Sequence, residues 1–161
     1  ELSRAARDSA RTLRTARRLG PVVILTNGQL GWVELSCLRF LPALAPLLEG
    51  VRIRSARSHY EPLGVSSPLQ WKCLAFRDEL KGVCFQGGGG GAGRVKNIIS
   101  IGDSAHEREA LLQATRGIAD CWSKSVKFFA RPHLALLAEQ HRFLAMCLRP
   151  IVEHRGSLDL C

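Results

Sequence analysis

The sequence lacks the features that define several classes of protein. Its 161 residues contain no run of 18 uncharged apolar residues, so we expect no transmembrane helix. None of the six cysteines forms a CxxC pair, and the histidines are scattered, which argues against a zinc site. A disulfide framework is unexpected in a core-forming chain of this length, so we predict reduced thiols and a reducing, intracellular compartment. The chain begins at Glu1 rather than at methionine, and we expect it to be part of a longer protein.

Positive charge is in excess and is concentrated near the start of the chain. There are 23 Lys and Arg residues against 14 Asp and Glu, which gives a formal net charge of +9. One face of the first predicted helix carries an arginine every three to four residues, at Arg4, Arg7, Arg11, Arg14 and Arg18. A solvated helix surface explains this face; nucleic-acid binding is the less favoured alternative, because no aromatic residue lies between the arginines.

Helical segments alternate with apolar strands along the chain, which predicts an α/β fold. Residues 22–26 and 97–101 are almost continuously apolar, as expected of parallel strands buried on both faces. Residues 51–55 and 125–129 are predicted as further strands. We therefore expect a Rossmann-like three-layer α/β sandwich with a mostly parallel sheet.

The remaining segments complete this prediction. Helices are predicted at 1–18, 31–48, 67–81, 104–115 and 132–148. Pro42 and Pro46 are expected to kink or split the second of them, and Pro150 to stop the last. Residues 1–150 then form the α/β core, and residues 151–161 form a polar C-terminal tail. The glycine run at 86–94 is predicted to be a flexible loop rather than a P-loop, because no Gly-Lys-Ser/Thr follows it.

Polar residues follow two of the strands, at the edge where ligands bind in parallel sheets. Thr26 and Asn27 end the first strand, and Asp103 follows the third, with Glu107 one helical turn later. Two carboxylates at this spacing can face one point, which suits a Mg²⁺ ion with oxygen ligands. Lys72, one turn into its own helix, could neutralise the charge of a phosphate or orient a carboxylate.

Each of these residues also has an ordinary structural explanation. Ser104 and Glu107 have the spacing of a helix capping box, and Asp103 is an acid near a helix N-terminus. Residues 26–28 could form a simple turn, and Lys72 could be a solvated lysine. The joint occurrence of these residues, in this order and at predicted strand ends, favours the functional interpretation.

In this order the residues resemble the motifs of the haloacid dehalogenase-like (HAD-like) hydrolase superfamily. The second motif of that family is an apolar strand ending in Ser or Thr, matched by Thr26, and the third is a lysine, matched by Lys72. The fourth motif, of the GDxxxD/E kind, is matched by Gly102, Asp103 and Glu107. The stretches around these residues also look like a group of HAD-like proteins from algae and protists, with similarity over residues 10–135.

The resemblance implies Mg²⁺-dependent phosphoryl transfer through an aspartyl-phosphate intermediate. By this resemblance Thr26 and Asn27 would bind the phosphoryl group, and Lys72 would stabilise the nucleophile and the phosphoryl charge. Asp103, helped by Glu107, would hold Mg²⁺. The metal would neutralise the charge that otherwise repels a carboxylate nucleophile from a phosphate. The substrate would be a phosphorylated compound of unknown identity.

The first motif of the family, DxDx(T/V), is absent from this chain, so the nucleophile is missing. Asp8 is the only aspartate before Thr26, and it lies on the arginine-faced helix. In the family, the strand with this motif lies between the second-motif and fourth-motif strands. We therefore expect either an upstream segment or partner chain that supplies the strand, or direct pairing of strands 22–26 and 97–101.

The leading functional expectation is the C-terminal part of a HAD-like phosphohydrolase, inactive as it stands because the nucleophile is missing. A non-catalytic HAD-like subunit with a binding or structural role is the main alternative. A basic module that binds nucleic acid through the arginine face is less favoured. No membrane association is expected.

Overall fold

The computed structural model describes residues 1–85 and 95–160 and divides the chain into two compact units. Unit 1 comprises Glu1–Ser55 and Arg131–Glu153. Unit 2 comprises the described residues of Ala56–Ala130 and His154–Cys161. The predicted glycine loop at 86–94 lies outside the described residues.

Unit 1 contains three helices and a two-stranded parallel sheet. Its elements are α1 (Leu2–Leu19), β1 (Val23–Thr26), α2 (Trp32–Phe40), a 3-10 turn at Ala45–Leu48, β2 (Arg52–Ser55) and α6 (Leu134–Glu153). β1 and β2 run in register, with Thr26 opposite Ser55 at their carboxyl ends. The predicted helix over 31–48 is split into α2 and the 3-10 turn, as expected from Pro42 and Pro46.

α1 packs against α6 through small residues opposite its arginine face. Ala5, Ala6 and Ala10 are buried, and their short side chains let the two helices approach closely. The Thr12 hydroxyl donates a hydrogen bond to the carbonyl of His141 on α6, at 2.9 Å. Because the apolar stripe is buried here, the arginine face points outward, and the arginines predicted to form it are exposed.

His141 is expected to make the packing of α1 on α6 sensitive to pH. Its Nδ1 lies 3.2 Å from the Thr12 hydroxyl oxygen, and burial lowers its pKa more than the nearby Asp8 carboxylate raises it. The unfolded chain, where histidine has a pKa of about 6.5, therefore takes up the proton first as the pH falls. We predict that stability is lost from about pH 6.5 downwards, through the lower folded pKa. Urea unfolding at a series of pH values would measure this loss.

The control for this prediction is the His141→Gln variant, which keeps a polar side chain that cannot titrate. Below about pH 6.5 its stability should depend less on pH than that of the unchanged protein. Equal pH dependence in the two proteins would show that His141 is not the responsible group.

Unit 2 contains a three-stranded parallel sheet and three helices. Its elements are α3 (Ala56–Tyr60), a 3-10 turn at Glu61–Leu63, α4 (Pro68–Phe85), β3 (Lys96–Gly102), α5 (Ala105–Thr115), β4 (Cys121–Lys127) and β5 (Leu158–Leu160). The strand order is β3-β4-β5, and both pairings are parallel. The fold is therefore a mixed α/β fold with parallel sheets and flanking helices, as the coarse prediction had it.

The end of the chain differs from the expected polar tail. α6 continues through Pro150 to Glu153, and β5 then pairs with β4. Pro150 is exposed, and the burial of Leu148 and Ile151 on either side offsets the hydrogen bond that the proline removes. The bidentate pair between Arg108 and Asp159 ties β5 to α5. Residues 158–160 are therefore part of the second sheet.

The expectation of one sheet also needs correction. In residues 1–85 and 95–160 the strands form two separate sheets, β1-β2 and β3-β4-β5. β1 belongs to the sheet of unit 1 and β3 to the sheet of unit 2. Among the described residues, β1 and β3 are each the outermost strand on one side of their own sheet.

Two other expectations can be compared with the described residues. No helix in them is long and apolar enough to cross a membrane. The described cysteines, Cys37, Cys73, Cys121 and Cys147, are free thiols.

Candidate functional site

The candidate site begins where β3 ends and α5 starts. Gly102 is the last residue of β3, Asp103 follows it, and Ser104 is the N-cap of α5. The Ser104 hydroxyl oxygen accepts a hydrogen bond from the His106 amide at 3.1 Å, while Glu107 Oε2 accepts one from the Ser104 amide at 3.1 Å. This reciprocal pair is the capping box that the sequence indicated, and it fixes the turn from strand to helix.

Gly102 is required by the close approach of Glu107. A Cβ atom added at residue 102 would lie 2.8 Å from both the Cβ and the Cδ of Glu107. Such contacts are shorter than carbon atoms tolerate, so only glycine leaves room for the Glu107 side chain to lie over the strand end. Together, Gly102 and the capping box hold the Glu107 carboxylate in one place.

Lys72 meets this carboxylate from a different helix. It lies in the first half of α4, which packs against α5, and only 4% of its surface is exposed. Its Nζ is 3.0 Å from Glu107 Oε1. Lys72 is therefore not a solvated surface lysine; it is a buried cation paired with a carboxylate at the end of the sheet.

The charge state of Glu107 follows from these contacts. Burial alone raises the pKa of a carboxyl group, but the hydrogen bond from Ser104 and the charge of Lys72 outweigh it, so the pKa of Glu107 is lowered. Glu107 is thus an ionised carboxylate at neutral pH, with one oxygen facing Ser104 and the other facing Lys72.

The remaining predicted site residues belong to two different units. Asp103 is exposed, directly after β3 in unit 2. Thr26 and Asn27 belong to unit 1, where the Thr26 hydroxyl oxygen accepts a hydrogen bond from the Gly28 amide at 2.9 Å. That bond supports the structural explanation of residues 26–28 as a turn, and it leaves the hydroxyl proton of Thr26 able to donate to a ligand.

The fit of this site to Mg²⁺ depends on how many carboxylates are available. Asp103 is a suitable oxygen ligand, but both oxygens of Glu107 are already engaged by a hydroxyl and an ammonium group. The described part of the chain holds no group of three or more His, Cys, Asp or Glu that could bind a metal ion. Asp103 by itself is not a complete Mg²⁺ site, which would need further oxygen ligands.

A second buried lysine was not anticipated from the sequence. Lys124 in β4 is fully buried, donates a hydrogen bond to the His154 carbonyl at 2.7 Å and lies 5.7 Å from the centre of the Trp122 ring. Burial lowers its pKa. Its hydrogen bond is with the chain leading into β5, which indicates a structural role in that part of the sheet.

Comparison of the chain with models of known protein families, with curated proteins and with solved structures gives no match. Function must therefore be argued from the residues of the site.

Proposed function

We propose that this chain is the C-terminal part of a HAD-like phosphohydrolase. The observation that supports it best is the buried pair of Lys72 and Glu107 at the carboxyl end of β3. In parallel sheets ligands bind beyond the carboxyl ends of the strands, and a fixed ammonium group there can stabilise the charge of a phosphoryl group.

Glu107 has a positioning role in this proposal. Because it is fixed by Gly102 and by the capping box, it holds the Lys72 ammonium in place rather than acting as the expected metal ligand. Asp103 is the residue proposed to hold Mg²⁺, together with oxygen ligands from outside this chain. The ion would neutralise phosphate charge. Thr26 is proposed to donate its hydroxyl proton to a phosphoryl oxygen.

The nucleophilic aspartate is proposed to come from a further strand, in an upstream segment or a partner chain. Asp8 does not qualify, because it lies in α1 and not at the end of a strand. In the sheets of the described residues, β1 has β2 as its single strand neighbour, and β3 has β4. A strand carrying the first motif would pair with the free side of β1, which carries the second motif, or of β3, which carries the fourth.

The test is a phosphatase assay with Mg²⁺ on the full-length product, using p-nitrophenyl phosphate as a probe. We expect no turnover from residues 1–161 alone, and turnover once the segment with the first motif is present. Asp103→Asn should then lower kcat by about 100-fold or more. Asp120→Asn is a matched control. Asp120 directly precedes β4, so it lies at the amino ends of the strands of this sheet, whereas Asp103 follows the carboxyl end of β3. Its positive φ is tolerated by asparagine.

Each outcome of this assay has a clear meaning. Turnover that is unaffected by Asp103→Asn, or equally reduced by Asp120→Asn, would contradict the proposal. A full-length sequence without a DxDx(T/V) strand would favour the non-catalytic HAD-like subunit. The absence of the nucleophile and the engagement of both Glu107 oxygens already agree with that second candidate.

A further inference from the structure

Unit 1 contains a groove that plays no part in the proposed phosphoryl chemistry. It has a volume of about 670 Å³ and lies between α2, the 3-10 turn at Ala45–Leu48 and β2. Its walls are mostly apolar, with Leu38, Pro42 and Ile53 among them. The charged side chains that line it are two carboxylates, Glu34 and Glu49, and none of its lining residues is basic.

One carboxylate oxygen of Glu34 lacks a hydrogen-bond donor within the described part of the chain. It lies in the first turn of α2, and its Oε2 atom is buried without a hydrogen-bond partner among the described residues. A buried carboxylate oxygen without a donor is unfavourable, because it has lost its water and gained nothing in return. Because this oxygen is enclosed, the Glu34 side chain would have to turn towards the groove that it lines, where a cationic group could supply the missing hydrogen bond.

The apolar surface of the groove continues along α2. No residue of this helix is buried, and Trp32, Leu35 and Leu38 are 61%, 66% and 63% exposed. Scattered exposed apolar residues are normal, but a set of large ones on one short helix beside an apolar groove marks an interaction surface. The surface is larger than a small amine would cover.

We propose that this groove and the exposed side of α2 bind a segment of a partner protein in which a lysine or arginine lies among apolar residues. A basic rather than an acidic segment is proposed because its charge would complement that of the groove. The chain as a whole has a net charge of +9, yet the charges in this groove are all negative. The apolar residues of the segment would cover Trp32 and Leu38, and its cation would reach Glu34.

Two synthetic helical peptides with the same leucine pattern test the proposal, one with lysines at its polar positions and the other with glutamates. Binding is measured by the fluorescence anisotropy of the labelled peptides. If only the net positive charge of the protein mattered, the glutamate peptide would bind more tightly. We expect the opposite, with the lysine peptide binding about tenfold more tightly or better. Glu34→Gln should weaken it about tenfold, and Glu153→Gln, an exposed change on α6, should leave it unchanged.

Leu38→Ser provides a second variant in case Glu34→Gln impairs folding. Leu38 is exposed, so the change should not unfold unit 1, and it should weaken the lysine peptide about tenfold through lost apolar contact. The proposal is overturned if neither peptide binds, if the glutamate peptide binds as well as the lysine peptide, or if neither variant matters. A dimer in sedimentation that Leu38→Ser dissociates would identify a second copy as the occupant and overturn it too.

Discussion

Gly102→Ala is expected to lower the free energy of unfolding by about 3 kcal/mol. The new methyl group would lie 2.8 Å from the Cβ of Glu107, an atom that cannot be moved by rotating the side chain alone. Glu107 must therefore leave its position, and the capping box of α5 and the ion pair with Lys72 are lost with it. Forced contacts of this kind cost about 1–3 kcal/mol, and loss of a cap costs about 1 kcal/mol more. Urea unfolding would measure the change.

Gly82→Ala is the matched control, and its effect should have the opposite sign. Gly82 lies inside α4, and a Cβ atom there would meet nothing within 4 Å. Alanine is the better helix former, so this change should stabilise the protein by about 0.5–1 kcal/mol. Gly102 does not have a positive φ, so backbone strain does not explain its requirement for glycine. Equal stability of Gly102→Ala and the unchanged protein would mean that Glu107 is not packed as described.

The parts of the fold that were predictable are those with a local signal. The strands expected at 22–26 and 97–101 agree with β1 and β3 to within about a residue, because runs of β-branched and apolar residues favour strands. Their expected burial on both faces was wrong: every residue of β1 is half-buried, and in β3 only Ser100 is buried. β4 was expected at 125–129 but spans Cys121–Lys127. Its interior includes the buried Lys124, whose hydrogen bond to His154, 30 residues away, has no local signature.

The division into two sheets could not be read from the sequence. The alternation of helices and strands correctly indicates parallel pairing, but which strands become neighbours depends on contacts between distant segments. β5 was missed for a related reason. Pro150 has the usual signature of a helix end, and only the tertiary burial of Ile151 shows why the helix continues.

At the candidate site, too, local features could be predicted and contacts between distant residues could not. The capping box of Ser104 and Glu107 was visible because its partners are three residues apart. Lys72 and Glu107 lie on different helices and are 35 positions apart in the sequence. The sequence therefore suggested each residue separately but not their contact. The role of Gly102 could not be anticipated either, because it depends on the path of the Glu107 side chain.

Lys72→Met is expected to destabilise the protein by about 3 kcal/mol, because it leaves the enclosed Glu107 carboxylate without its cation. Lys81→Met is the matched control in the same helix. Lys81 pairs with Asp78 at 3.2 Å, but more than half of its side chain is exposed, so its loss should cost less than about 1 kcal/mol. Urea unfolding of both variants at pH 7 makes the comparison.

The pH dependence separates the ion pair from simple packing. In the unchanged protein Glu107 has a lowered pKa, so its contribution to stability is fully present above the ordinary glutamate pKa and is lost as the pH falls through the lowered value. Without Lys72, the pKa of Glu107 should rise, and protonation of Glu107 in the folded state should begin at a higher pH. Adding Glu107→Gln to Lys72→Met should therefore recover part of the lost stability at pH 7, since it removes the unpaired charge. If the double variant is instead destabilised by the sum of the two single changes, then Lys72 and Glu107 do not interact, and the positioning role proposed for Glu107 is wrong.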